Sequence, residues 1–103
     1  MRMLGRWHTP LEETEAKRLL ESGAVLIDVR SPHEFAEGHL ERAINMPLEN
    51  LPQTVDRLPE GIKLLHCKSG LRSQMATRLL SKHGIRNAHD LGSFTRAQRI
   101  ASD

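Results

Sequence analysis

The sequence predicts an α/β fold: one domain over residues 1–103, in three layers, with a central, mainly parallel sheet and helices on both faces. Two observations carry that expectation. Residues 24–29 are nearly all apolar and rich in β-branched side chains, and residues 63–67 form a second short candidate of the same kind. Strands covered on both faces, as parallel strands are, read this way. Segments with apolar residues at helical spacing alternate with these strands, which is the order of a βαβ chain. At about 150 residues per domain, the length allows one core and no second lobe for a large cofactor, so no cofactor is expected.

The elements follow in order. Thr9 is expected to cap a first helix, with Pro10 at its first position and Glu12 completing a capping box. Ala16, Leu19 and Leu20 give that helix one apolar face, and Gly23 suits its end. The strand at 24–29 follows. Ser31-Pro32-His33-Glu34 repeats the capping box and opens a helix that Gly38 stops. Residues 43–45 make a brief strand before Pro47. Residues 51–58 carry a helical pattern with Leu51, Val55 and Leu58 on one face, ended by Pro59 and Gly61. After the strand at 63–67, Lys68-Ser69-Gly70 breaks the chain. Met75, Ala76, Leu79 and Leu80 mark a helix from about 72 to 83, closed by Gly84. Residues 87–91 read as the last strand, and a short polar helix ends the chain.

Composition narrows the function. Fifteen basic and thirteen acidic residues leave a net charge of only +2, and Trp7, Phe35 and Phe94 are the sole aromatics. A nucleic-acid binder shows a basic stripe and stacking aromatics, so nucleic acid is not an expected partner. The longest apolar run is four residues, 24–27, far from the ~20 that cross a membrane. Cys67 is the single cysteine, so neither an internal disulfide nor a cysteine-rich zinc site can form. The six histidines, His8, His33, His39, His66, His83 and His89, lack the i, i+4 spacing of helical metal ligands, and no metal is expected. With no apolar leader after Met1, a reducing, cytoplasmic setting is the expectation.

The sharpest feature is Cys67-Lys68-Ser69-Gly70-Leu71-Arg72-Ser73. A strand ends, a glycine-containing loop follows, and a helix begins. Ligands of open α/β sheets bind beyond the carboxyl ends of the strands, which is where Cys67 is expected. The helix N-terminus offers unpaired N–H groups and partial positive charge, and a tight loop turns its own N–H groups inward. Lys68 and Arg72 add two cations. All three effects favour a thiolate, suited to attack an electrophilic atom of an anionic substrate. A lone cysteine is more often a small buried hydrophobe, but packing requires none of these flanking residues.

These residues resemble the rhodanese family of sulfurtransferases. The likeness runs roughly from Thr9 to Phe94. Leu26-Ile27-Asp28-Val29-Arg30 is similar to the family's first strand and its Asp-x-Arg signature. Glu34-Phe35, Gly38-His39-Leu40 and Ala43-Ile44-Asn45-Met46-Pro47 resemble its second block, and the Cys67 loop resembles its active-site loop. Two positions depart. Gly92-Ser93-Phe94-Thr95-Arg96-Ala97 stands where the family often has two glycines and, four residues on, a tryptophan; Arg42 stands where many members have glycine. The resemblance implies a rhodanese-like three-layer fold and covalent catalysis in two halves. Cys67 takes the outer sulfur of thiosulfate or a similar small anionic donor and becomes a persulfide. Cyanide or a thiol, a thiol protein included, then removes it. The N–H groups of 68–73 stabilise the anionic sulfur, Lys68 attracts the donor, and Arg72 either does the same or ties the loop to a carboxylate. Ser69 and Ser73 offer hydroxyl hydrogen bonds or a helix cap. The basic loop leans towards thiosulfate rather than mercaptopyruvate.

Two rival readings stand beside this one. In the first, Cys67 holds a persulfide for a protein partner, or the domain merely binds anions for regulation. In the second, the protein is a small phosphatase. Related phosphatases enclose five residues between their cysteine and arginine, whereas Cys67 and Arg72 enclose four, a ring better sized for one sulfur. Away from the loop, Asp28 and Arg30 read as a buried pair that fixes loops near the site. His39 reads as a structural hydrogen-bonding residue, because a thiolate needs no general base. His66 is expected on the opposite strand face from Cys67. Glu12, Glu13 and Glu15 read as a solvated acidic first turn.

Overall fold

The computed structural model describes residues 9–102; Trp7 and His8 lie outside them. Four strands, β1 (Val25–Asp28), β2 (Ile44–Asn45), β3 (Lys63–His66) and β4 (Ala88–Gly92), form one sheet in the order β2-β1-β3-β4, and every pair is parallel. Five α-helices connect and flank them: α1 (Glu13–Glu21), α2 (Pro32–Glu37), α3 (Leu51–Thr54), α4 (Leu71–Lys82) and α5 (Phe94–Ala101). No helix among the described residues is long and apolar enough to cross a membrane.

Strand alternation splits the core into two layers. Leu26 and Leu64 point to one face, against Ala16, Leu19 and Leu20 of α1 and Ala97 and Ile100 of α5. Ile27 and Leu65 point to the other, against Leu51 of α3 and Ala76 and Leu80 of α4. The expected three-layer arrangement of helices on both faces is therefore present.

Two local expectations are corrected. Thr9 does not cap α1. Glu12 is the N-cap, its carboxylate accepting the Glu15 N–H at 3.1 Å, and Pro10 precedes the helix. The stretch 51–58 is not one helix: 3-10 turns at Leu48–Asn50 and Val55–Arg57 flank the short α3. The β-branched Thr54 and Val55 propagate a helix poorly, so the apolar spacing alone does not hold a long one. The capping box at α2 forms as read, with Ser31 Oγ accepting the Glu34 N–H (3.1 Å) and Glu34 Oε1 accepting the Ser31 N–H (2.9 Å).

In this strand order, the connection from β1 runs to β2 on one side while β3 lies on the other. The carboxyl ends of β1 and β3 thus flank the point where the winding reverses, the place where such sheets leave a crevice. A buried ion pair shapes its wall. Arg30 grips Asp28 through Nε (3.0 Å) and Nη2 (2.7 Å), and Nη2 also donates to the Gly38 carbonyl at 2.8 Å, tying the end of β1 to the end of α2. Asn45 Nδ2 donates to the carbonyls of Asp28 (2.9 Å) and Arg30 (3.0 Å), fastening the same loop to β2. Burial alone would push the Asp28 carboxyl up. The His66 imidazole, 3.6 Å away, and the Arg30 guanidinium outweigh burial and hold it well below the usual carboxylate range.

Asp28→Asn leaves the Arg30 guanidinium buried without its counter-charge, and should lower stability by about 3 kcal/mol at neutral pH in urea unfolding. Because the Asp28 pKa is depressed on folding, its contribution is complete above the unfolded value of about 4 and declines as pH falls below it. The gap between wild type and Asp28→Asn should therefore narrow in acid; a gap independent of pH would contradict the pair's electrostatic role.

Candidate functional site

β3 ends at His66, and Cys67 turns its side chain to the face that α4 covers. Its own N–H donates to the Gly92 carbonyl at 3.2 Å, so the loop is hung from β4. Gly70 then takes a left-handed conformation, φ +104°, which other residues adopt only under strain. That turn swings the chain back over the cysteine and starts α4. Gly70 is the N-cap of α4, with no side-chain oxygen to receive the first free N–H groups. The sulfur receives them instead: Cys67 Sγ accepts from Gly70 N–H at 3.0 Å and from Ser73 N–H at 3.4 Å. A thiol sulfur thus occupies the place of a capping side chain, at the positive end of a twelve-residue helix.

Ser73 closes the ring. Its Oγ donates to the carbonyls of Gly70 (3.1 Å) and Gly92 (3.3 Å) and lies 3.7 Å from Sγ. Cys67 and Ser73 are both fully buried. Cys67 therefore packs among the apolar residues between the sheet and α4 while its sulfur faces amide dipoles.

The two loop cations have different fates. Arg72 forms a two-pronged pair with Glu34, Nη1 to Oε1 at 2.7 Å and Nη2 to Oε2 at 3.0 Å, binding the first turn of α4 to α2 across the crevice. The Arg72 guanidinium, with the Ser31 N–H, draws the Glu34 carboxyl from its ordinary 4.5 down to about 2. Of its two sequence readings, the tie to a carboxylate is the one the structure contains. Lys68 is exposed and lines an open cleft of about 570 Å³ with Arg30, Glu34, His39, Phe94 and Gln98. Ser69 is exposed beside it, and Leu71 is 62% exposed on the outer rim.

Phe94 and Glu34 carry site geometry that the sequence reading did not assign to them. The Phe94 ring lies under the Arg30 guanidinium (4.7 Å) and edge-on to His66 (5.9 Å), and its N–H donates to the Lys68 carbonyl at 3.0 Å. Its place after Gly92 was visible only as a departure from a motif. Glu34 was visible as a capping residue, and nothing in one dimension connects it to Arg72, 38 positions away. His66 is turned from the sulfur towards Asp28 and Phe94, as strand alternation predicts, and neither ring nitrogen has a hydrogen-bond partner among the described residues. His39 stacks on Phe35 at 3.7 Å and its Nδ1 donates to the Phe35 carbonyl at 2.8 Å, the structural role expected of it. Glu13 and Glu15, expected to be merely solvated, pair with Arg99 and Arg18 on the surface. Among the described residues no group of three or more His, Cys, Asp or Glu comes together as a metal site.

The chain is 42% identical over 67 residues to a probable molybdopterin-synthase adenylyltransferase of Gracilaria tenuistipitata var. liui, covering 59% of this chain and 19% of that protein. Several curated relatives are thus much longer than the part this chain matches, which spans about a fifth of the first of them. It is 31% identical over 74 residues to a sulfurtransferase of Allochromatium vinosum, covering 70% of this chain and 69% of the relative. Among solved structures, a human single-domain sulfurtransferase superposes with a TM-score of 0.70 at 28% identity, covering 86% of this chain and 94% of that one. The rhodanese-like domain profile matches residues 12–98, a span holding the Asp28–Arg30 strand end, the Glu34 helix and the Cys67 loop, and the chain belongs to that family.

Proposed function

We propose that the protein is a sulfurtransferase that moves a sulfane sulfur from thiosulfate or a similar small anionic donor, through a Cys67 persulfide, to cyanide or a thiol. The observation that carries this reading is the pair of N–H groups, Gly70 and Ser73, aimed at Cys67 Sγ. Donors so placed favour negative charge on sulfur, which serves both the attacking thiolate and the persulfide that replaces it.

The steps balance without a cofactor. The Cys67 thiolate attacks the outer sulfur of thiosulfate, the new S–S bond forms as the donor's S–S bond breaks, and sulfite leaves with the bonding pair. The acceptor then attacks the outer sulfur of the persulfide, and Sγ departs as the thiolate. Lys68, exposed at the cleft and without an ion pair among the described residues, is placed to meet an anionic donor, while Arg72 acts as a positioning residue that holds the loop through Glu34. Cys67 is fully buried, while the two loop residues that follow it, Lys68 and Ser69, are exposed. Four residues between Cys67 and Arg72 leave a small ring, which favours sulfur transfer over phosphate hydrolysis.

Cys67→Ser should abolish thiosulfate:cyanide transfer with the fold intact, and mass spectrometry of wild type after thiosulfate should find one added sulfur on Cys67; turnover retained by the variant would end this reading. Glu34→Gln should release Arg72 and lower kcat/KM on the order of tenfold, about 1.4 kcal/mol of transition-state stabilisation. The depressed Glu34 pKa places the bridge's contribution above 4.5, with its loss as pH falls from there towards about 2. The wild-type pH profile should accordingly owe nothing to Glu34 near neutrality, and Glu34→Gln should leave the profile's shape there unchanged. A shifted neutral limb in that variant would contradict the assignment.

A further inference from the structure

Three large apolar side chains are exposed among the described residues, Ile44, Leu71 and Met75, and two of them adjoin on the first turns of α4. Leu71 is 62% exposed and Met75 50%. Helical spacing continues their stripe through Arg78 and Lys82, both exposed. The stripe thus runs from an apolar end at the Cys67 loop to a basic end one to two turns along. α4 has three basic residues and no acidic one. Arg72 is paired with Glu34, and neither Arg78 nor Lys82 enters an ion pair among the described residues.

We propose that this face seats a protein acceptor of the sulfane sulfur: a thiol protein whose reactive cysteine lies beside an apolar contact and a cluster of carboxylates. The inference rests on the sulfur-transfer reading and names its acceptor class. Cyanide or a small thiol has no extent to reach Met75, a turn beyond the loop, so an apolar rim there serves a larger partner. Unpaired cations at one end of an apolar stripe call for a partner that sets acidic side chains beside an apolar contact. RNA would meet the cations alone. α4 has no aromatic side chain on which a base could stack, and an exposed Leu–Met pair gives phosphates nothing. In the docked complex the partner's thiolate attacks the outer sulfur of the Cys67 persulfide. One S–S bond forms as the other breaks, Sγ leaves as the thiolate, and no oxidant enters.

The probes are two synthetic cysteine peptides, one with leucine among aspartate and glutamate, the other with lysine in place of each acid. Persulfide-loaded protein should transfer sulfur to the acidic peptide with kcat/KM on the order of tenfold above the basic one at low salt, the difference shrinking as salt rises. Arg78→Glu with Lys82→Glu should abolish or invert that preference, and Met75→Asp should weaken transfer to the acidic peptide, while thiosulfate:cyanide turnover stays unchanged in both. Anisotropy of fluorescein-labelled serine versions of the peptides reads the same preference as binding, so the surface is tested even if thiosulfate leaves no sulfur on Cys67. Equal handling of the two peptides, a preference that survives charge reversal, or a poly-uridine strand that displaces the acidic peptide at lower concentration than the peptide itself binds would overturn the proposal.

Discussion

The N-terminus of α4 is the constraint on which the site depends. A helix begins with N–H groups that have no partner within it, and most helices meet them with a serine, threonine or aspartate at the N-cap. Here the N-cap is Gly70, which has no side chain to offer, and the nearest acceptor is the sulfur of Cys67, three residues back. One arrangement therefore answers two requirements: the helix is capped, and the sulfur gains a positive electrostatic setting within a buried, apolar layer. The left-handed Gly70 makes it possible by folding the loop back over the cysteine. A Cβ there would sit in ordinary contact with the Gly92 backbone, 3.5 Å away, so the left-handed conformation rather than lack of space calls for glycine. Gly92, itself at φ +98°, supplies the carbonyl that receives both the Cys67 N–H and the Ser73 hydroxyl.

Around that loop, Arg30 and Arg72 are both committed. Arg30 serves Asp28, Gly38 and the face of Phe94, and Arg72 serves Glu34. Each joins elements that meet at the reversal point of the sheet, β1 to α2 and α2 to α4. Their charge is largely balanced by carboxylates, so the net field at the mouth owes more to Lys68 and the end of α4 than to a count of basic residues. A buried guanidinium must be paired, and pairing turns a cation from a recognition element into a strut. His66 stands behind this wall as a buried imidazole packed on Phe94 and near Asp28, on the far face of its strand from the sulfur.

The large features were legible in one dimension because they rest on local or periodic rules. The apolar runs of β1 and β3, the Ser31–Glu34 capping box and the break at Lys68-Ser69-Gly70 each follow from neighbours in sequence. The Cys67 loop was legible as a strand–loop–helix junction for the same reason. Two local readings failed where alternatives were close in energy. Thr9 and Glu12 both offer a capping oxygen, and the docking of the 9–12 segment, where Leu11 N–H donates to the Asp90 carbonyl at 2.8 Å, decides between them. In residues 51–58, apolar spacing persisted while the β-branched pair Thr54 and Val55 gave way to a 3-10 turn.

What the amino-acid order determined alone was the alternation of strands and helices, the strand face to which Cys67 belongs, and the presence of a loop able to encircle a sulfur, since each depends on contacts a few residues apart. Only the tertiary structure decided which carboxylate holds Arg72 and where Phe94 lies. Those contacts join residues up to 64 positions apart, as with Arg30 and Phe94 (94 − 30), and pairings over such separations are set by the strand order of the sheet rather than by any local preference of the chain.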